Sequence, residues 1–262
     1  NLTHCTYSLN HSRVTTHMYL ESQYINEDRQ FGGDSITYRI FQYLKILLTN
    51  YYLNRSFTRI PQLLDCENVY RAIDETSKQD VYRVFEQYYE NCEEIIPTKF
   101  GELSKEDPEL YKQVQSNFYF LWFLAENLKR YFYENDTVYT VNLENLPFYQ
   151  VDNNKIVGEK SWRLNVIING KLMRYDLFPN FYITRYEFDY LIAGDIYYVV
   201  KKFIEPLYVT GEIHTFHYVR LAGQSCSISL FKDALKEFIP GKMIASSRKR
   251  TENKILRHTV LE

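Results

Sequence analysis

The sequence predicts an α/β or α+β fold in which helices cover a sheet. Three observations predict it. Short β-branched and aromatic runs are interleaved with long helical repeats, turn signals stand between them, and the chain closes on a strand–glycine loop–helix unit over 216–238. That last unit is the arrangement that puts a ligand at the carboxyl end of a strand.

Size and charge narrow the class. At 262 residues the chain is one or two domains long, enough to hide roughly 70% of its unfolded surface. Hydrophobic residues at 45% and charged residues at 24% are globular values and exclude a disordered chain. A net charge of -2 excludes the basic footprint of a general nucleic-acid binder. No run of about 20 apolar residues occurs, so neither a spanning helix nor a membrane partner is expected. Four cysteines (Cys5, Cys66, Cys92, Cys226) lack a C-x-x-C pair, and six histidines have no tight spacing, so no structural zinc set forms. Four Asn-x-Ser/Thr sequons begin at Asn1, Asn10, Asn54 and Asn135, but no secretory signal accompanies them. The expected compartment is the cytoplasm, with reduced thiols. The absence of an initiating Met and the polar end read as boundaries of a larger protein.

The elements follow in order. Residues 2–9 and 13–21 alternate β-branched and aromatic residues around Asn10-His11-Ser12, which predicts a hairpin. After Phe31-Gly32-Gly33, Ile36, Ile40, Phe41, Leu44, Leu47 and Leu48 fall at helical spacing, with Asp34 or Ser35 as cap. A helix over about 78–92 puts Val81, Val84, Phe85 and Tyr88 on one face, and Pro97 and Gly101 end it. Ser104-Lys105-Glu106-Asp107-Pro108 reads as a helix start with Ser104 as cap, opening the main buried helix through Val114, Leu121 and Leu128 to about Glu134. Strands are expected over 137–144, 161–168 and 171–178, the last two joined by Asn169-Gly170, the clearest hairpin turn in the chain. Thr184-Arg185-Tyr186-Glu187 is a capping box that opens a helix pair, through Ile192 and from Asp195 to about Leu207. A strand at 216–221, the loop Ala222-Gly223-Gln224 and a helix at 227–238 complete the order.

The chemistry-bearing candidates are few. Gly32-Gly33 before a helix can offer backbone amides and the helix's positive end to a phosphate or sugar, or be a plain turn. Ala222-Gly223-Gln224 can allow close approach of a planar ligand, or simply connect strand to helix. Glu126 and Lys129, three apart, share one helix face. On the surface they would contribute a few tenths of a kcal/mol, whereas half-buried they would line a cleft. Arg248-Lys249-Arg250 reads as solvated tail. No Ser-His-Asp, Cys-His or phosphate-loop arrangement occurs.

Taken together, four segments resemble the DnaK-like chaperones of the seventy-kilodalton heat-shock class. Phe31-Gly32-Gly33-Asp34 is similar to their Leu-Gly-Gly-x-x-Phe-Asp segment. Ala125-Glu126-Asn127-Leu128-Lys129-Arg130 is similar to their Cys-Glu-x-Ala-Lys-x helix. Ile183-Thr184-Arg185-Tyr186-Glu187-Phe188 through Ile204-Glu205-Pro206-Leu207 resembles their Ile-Thr-Arg-x-x-Phe-Glu helix pair, and Val219–Ser225 with Phe231–Phe238 resembles Val-Leu-Val-Gly-Gly-Ser-x-Arg-Ile-Pro and its helix. The segments stand in family order across about 2–242.

The resemblance implies the second lobe of an actin-like ATPase (ribonuclease H-like) domain: a mixed sheet with covering helices over 1–242, a helical insertion at about 54–105 and a C-terminal tail at 243–262. One sheet should begin with the hairpin and end with the 216–221 strand, and the insertion should stand off as a removable protrusion. The implied cofactor is ATP or ADP, with magnesium in the whole protein. Glu126 and Lys129 would contact ribose and adenine, Gly32 and Gly33 the cleft floor, and Ala222, Gly223 and Gln224 the adenosine. Implied partners are the nucleotide, a first lobe, and a protein on the 54–105 insertion. The sequence departs from the family in lacking the first lobe and the second phosphate loop Asp-x-Gly-Gly-Gly-Thr, in having Cys226 near the adenine-stacking Arg position, and in having Tyr133 where a Ser is expected. The alternative is a non-enzymatic actin-fold scaffold that has lost the nucleotide.

Overall fold

The computed structural model describes residues 2–12, 14–26, 31–57, 59–103, 107–135, 137–146, 151–152, 155–156, 162–216, 218–221, 225 and 228–246. The fold is mixed α and β, mostly helical, with small sheets. In chain order the strands and helices are β1 (Leu2–His11), β2 (Thr16–Asn26), α1 (Gly33–Tyr52), α2 (Ile60–Leu64), α3 (Val69–Glu75), α4 (Lys78–Asn91), α5 (Pro108–Glu134), β3 (Thr140–Asn142), β4 (Val151–Asp152), β5 (Lys155–Ile156), β6 (Leu164–Ile168), β7 (Lys171–Tyr175), β8 (Tyr182–Thr184), α6 (Arg185–Thr210), β9 (Tyr218–Leu221), α7 (Ser229–Phe238) and β10 (Met243–Ser246).

The core is helical, and α1 is its centre. Ile36, Ile40, Phe41, Tyr43, Leu44, Ile46, Leu47 and Leu48 are all buried, and from Ile40 to Leu48 α1 is covered on every side. The sequence points to α5 as the main buried helix. Instead α5 buries one stripe (Val114, Leu121, Leu124, Ala125, Leu128, Phe132) against α1 and leaves Tyr119 exposed. Helix α6 packs on α1, α3 and α7.

The expected single mixed sheet is corrected. The described strands form five separate pairs, β1–β2, β3–β8, β4–β5, β6–β7 and β9–β10, of which only the last is parallel. The hairpin and the β9 strand therefore belong to different sheets. The helices explain this: their apolar stripes pack on one another, so the short strands between them fasten to helices rather than to a common sheet. In β1–β2 every side chain whose burial is described is exposed. The β6 strand shows the fastening. The fully buried Asn117 of α5 donates Nδ2 to the Asn165 carbonyl at 2.8 Å and accepts from the Asn165 N–H at 2.8 Å, standing in for a neighbouring strand. On β6, Ile167 N–H donates to the Ile95 carbonyl at 2.8 Å.

The 54–105 segment is helical, but it is no protrusion. Ile60, Leu63, Leu64, Ile73, Val81, Phe85 and Ile96 are buried in the same cluster as α1, α5 and α6. The α4 face is also shifted: Tyr82 and Tyr89 are buried with Val81 and Phe85, while Tyr88 is exposed. One buried charge locks the segment in place. Lys45 of α1 pairs with Glu93 and donates to Thr98 Oγ1 at 3.0 Å, while Glu93 accepts the Thr98 and Lys99 N–H groups at 2.6 and 2.8 Å. Burial pushes the Lys45 ammonium below its ordinary value despite Glu93. For Glu93 burial pulls upward, yet Lys45 and the backbone N–H groups outweigh it and hold the carboxyl below its usual range.

Local signals fared according to how local they are. Thr184 caps α6 as expected, accepting the Glu187 N–H at 3.3 Å. Asn169 and Gly170 sit at φ of 51 and 75°, the backbone of a tight hairpin turn. The expected helix pair after Thr184 is one continuous helix. Gly194 does not break it, because that position packs against α4: a Cβ there would lie 2.7 Å from Tyr82 Oη. Helix α5 is capped by Asp107, which accepts the Leu110 N–H at 3.0 Å, and the expected cap Ser104 lies outside the described residues. Helix α1 starts from Gly32, whose N–H donates to Ser35 Oγ at 3.2 Å, rather than from Asp34 or Ser35. The expected 137–144 strand is reduced to β3, because Leu143–Asn145 forms a 3₁₀ turn. Met243–Ser246, expected to belong to the tail, instead pairs with β9, and 247–262 lies outside the described residues. Among the described residues no helix is long and apolar enough to cross a membrane.

Candidate functional site

The first turn of α1 meets the middle of α5 at a small polar cluster. Apolar spacing on both helices brings them together: Ile36, Ile40 and Leu44 face Leu121, Leu124 and Leu128 in one core. This packing carries polar residues at the start of α1 and at mid-α5 to the same edge. Lys129 Nζ donates to the Gly33 carbonyl at 3.2 Å and to Thr37 Oγ1 at 2.6 Å, and pairs with Glu126 Oε2 at 2.6 Å. Thr37 Oγ1 in turn lies 2.6 Å from Glu126 Oε2 and 3.0 Å from the Gly33 carbonyl. Burial is graded from floor to rim: Thr37 is 0% exposed, the Lys129 side chain 16% and that of Glu126 39%.

Three expected site residues, Gly33, Glu126 and Lys129, are thus brought together. Gly33 is close-packed: a Cβ on it would stand 3.4 Å from Ser225 Oγ and 3.8 Å from Lys129 Nζ. Gly32 is in extended backbone, and a Cβ there would meet nothing within 4 Å, so the position has room for a side chain. Ala222, Gly223, Gln224 and Cys226 lie outside the described residues, but Ser225, in the same loop, reaches Gly33. Sequence reading missed Thr37 and Ser225. The one local signal for Thr37 is its place four residues after Gly33, where its hydroxyl can bond the carbonyl one turn back.

One turn along α5, Tyr133 donates its hydroxyl to Asp189 Oδ1 at 2.9 Å, and the Arg185 guanidinium lies 5.4 Å from the centre of the Tyr133 ring. Burial raises the Asp189 carboxyl above its ordinary value even though Tyr133 and Arg185 oppose the shift. Burial and Asp189 together push the Tyr133 phenol well above its usual range.

On the other flank of the α1 start a cleft of about 450 Å³ lies against Asp34, Tyr38, Arg39, Lys78, Asp195 and Tyr198. Its cations are already committed. Arg39 Nε donates to Asp195 Oδ2 at 2.6 Å and Lys78 Nζ lies 2.7 Å from Asp195 Oδ1, while Arg39 also pairs with Glu86. Burial alone would lower the Arg39 pKa, but Asp195 outweighs it and holds the guanidinium charged. This cluster ties α1, α4 and α6 together. Among the described residues no three His, Cys, Asp or Glu side chains gather as metal ligands, and Cys5, Cys66 and Cys92 are free thiols.

No protein-family model matches this chain, and neither a curated protein nor a solved structure matches it.

Proposed function

We propose that this chain is the second lobe of an actin-like ATPase domain of the DnaK-like chaperone class, working in the cytoplasm and lending the adenosine-side half of an ATP-binding cleft. The parent hydrolyses ATP to drive a conformational cycle. This lobe alone turns over no nucleotide, because phosphoryl transfer rests on positioning and charge neutralisation by phosphate loops and magnesium ligands assigned to the rest of the parent.

The observation that carries the reading is the meeting of Glu126 and Lys129 with Gly33, 96 residues from the lysine in sequence. A carboxylate acceptor beside an ammonium donor suits the hydroxyls of a ribose, and a nucleoside needs such groups from several elements at once. The parallel pair β9–β10 joined through α7 supports the reading, since ligands bind outside the carboxyl ends of such strands, and Ser225 follows that end of β9.

The test is an ADP titration of the chain, followed by calorimetry and amide chemical shifts. Half a cleft should bind in the millimolar range, worth about 4 kcal/mol, with shifts at Gly33, Glu126 and Lys129. Micromolar affinity, or shifts that avoid Glu126, Lys129 and Gly223, would overturn the assignment.

One observation favours a second reading, a scaffold that keeps the actin fold and has lost the nucleotide. All three N–H donors of Lys129 are taken by oxygens of the chain itself. On that reading the exposed side of 54–105, with Tyr88, receives a protein partner. An intact Asp-x-Gly-Gly-Gly-Thr in the parent just upstream of Asn1 would favour the ATPase, and its loss the scaffold.

A further inference from the structure

We infer that Thr37 is a positioning residue, whose buried hydroxyl sets the Glu126 carboxylate and the Lys129 ammonium for a vicinal diol. The inference rests on the nucleotide reading above and deepens it. Glu126 and Lys129 are flexible side chains one turn apart on the same helix, and such a pair on an open surface wanders among rotamers and contributes little. Here a residue of a different helix constrains both. Thr37 Oγ1 is 2.6 Å from each of Glu126 Oε2 and Lys129 Nζ.

Proton accounting fixes the direction of each bond. An ammonium only donates, so the Thr37 oxygen accepts from Lys129, and an ionised carboxylate only accepts, so the single Thr37 proton can go to Glu126. The Gly33 carbonyl, 3.0 Å from Thr37 Oγ1, is then covered by Lys129 at 3.2 Å. That contact is the longest the ammonium makes, and it is the one a ligand oxygen would replace at least cost. Thr37 is fully buried while Glu126 is more than a third exposed, so a ligand approaches from the Glu126 side and Thr37 stays beneath it. Thr37 touches no ligand; it acts through its two neighbours.

A hydroxyl bonded to charged groups is worth enough that its loss should weaken diol recognition about tenfold. The experiment compares ADP with 2′,3′-dideoxy-ADP by chemical-shift titration of the wild-type chain, Thr37→Val and Thr37→Ser. Wild type and Thr37→Ser should prefer ADP. Thr37→Val should lose that preference while binding the dideoxy compound as wild type does. A role confined to stability would weaken both ligands alike. Retention of the preference by Thr37→Val overturns the inference and leaves the nucleotide reading standing. No preference and no shift at Glu126 or Lys129 in wild type overturns both. Should Thr37→Val not fold, the free wild-type chain still decides: its Lys129 ammonium protons should be protected from exchange with water, and exchange as fast as at an exposed lysine overturns the inference without any ligand.

Discussion

Replacing Glu93 by glutamine should destabilise the protein far more than replacing its partner Lys45 by methionine, although both changes break one ion pair. The two charges are buried unequally: the Lys45 side chain is 0% exposed and that of Glu93 is 22% exposed. In Glu93→Gln the ammonium stays sealed in the core with its counter-charge gone: the amide oxygen is claimed by the Thr98 and Lys99 N–H groups, and the neutral Thr98 hydroxyl and the face of the Tyr89 ring, 4.9 Å away, are left beside it. Stranding a buried charge in this way costs about 3–5 kcal/mol. In Lys45→Met the apolar side chain refills the space and the cost of burying the ammonium disappears. Glu93 keeps the Thr98 and Lys99 N–H groups and some water. A loss of about 1 kcal/mol is expected, that of one net hydrogen bond. The double variant should lie close to Lys45→Met, because no stranded ammonium remains. The assay is urea unfolding of all four proteins, read as midpoints at constant slope. pH gives a second handle. The Glu93 carboxyl is depressed in the folded state, so its stabilisation is present above the ordinary carboxylate range and is lost as pH falls through the folded value. Lys45 is depressed too, which for a base means that the folded state prefers it neutral, so the Glu93→Gln defect should shrink as pH rises toward the ordinary lysine range. Equal losses in the two single variants, or a Glu93→Gln defect that grows with alkaline pH, would refute the reasoning.

Two further outcomes are expected. Gly194→Ala should destabilise by about 1–3 kcal/mol despite alanine's better helix propensity, because the new Cβ would meet Tyr82 Oη at 2.7 Å and Ile73 Cδ1 at 3.1 Å; adding Tyr82→Phe should recover part of the loss in thermal unfolding, and additive losses would show that the hydroxyl is not the obstacle. The raised Asp189 carboxyl has the opposite pH signature to Glu93: its contribution is fully present below the ordinary carboxylate range and is lost as pH rises through the folded value. The stability of wild type relative to Asp189→Asn should therefore fall as pH rises above the ordinary carboxylate range in urea titrations, and a flat difference would count against it.

What the sequence made legible was local. The Thr184 capping box and the Asn169-Gly170 turn depend on a few neighbouring residues, and both form where expected. Apolar spacing located α1 and α5, and their packing then brings Lys129 to Gly33. What failed depends on distant partners. The chain after Thr184 reads as two helices, one through Ile192 and one from Asp195, until Gly194 is found packed against Tyr82 within one continuous helix. The 54–105 segment reads as an insertion until Val81 and Phe85 are found in the common core. Asn117 looks like an ordinary polar residue on a long helix, and nothing in its neighbourhood of sequence announces that it will substitute for a strand beside β6. Thr37 escaped notice for the same reason, since its partners lie 89 and 92 residues away.

The all-round burial of α1 fixes a hierarchy of motion around the site. Amide hydrogens in the Ile40–Leu48 stretch, where every side chain is buried, have no route to water short of opening the whole core, so they should exchange only with global unfolding. Gly33 and Thr37 stand at the end of this immobile axle. Glu126 and Lys129 reach them from a helix whose outer face is wet. Any rearrangement that admits or releases a ligand is therefore borne by the α5 side chains, and α1 serves as the fixed reference against which they move.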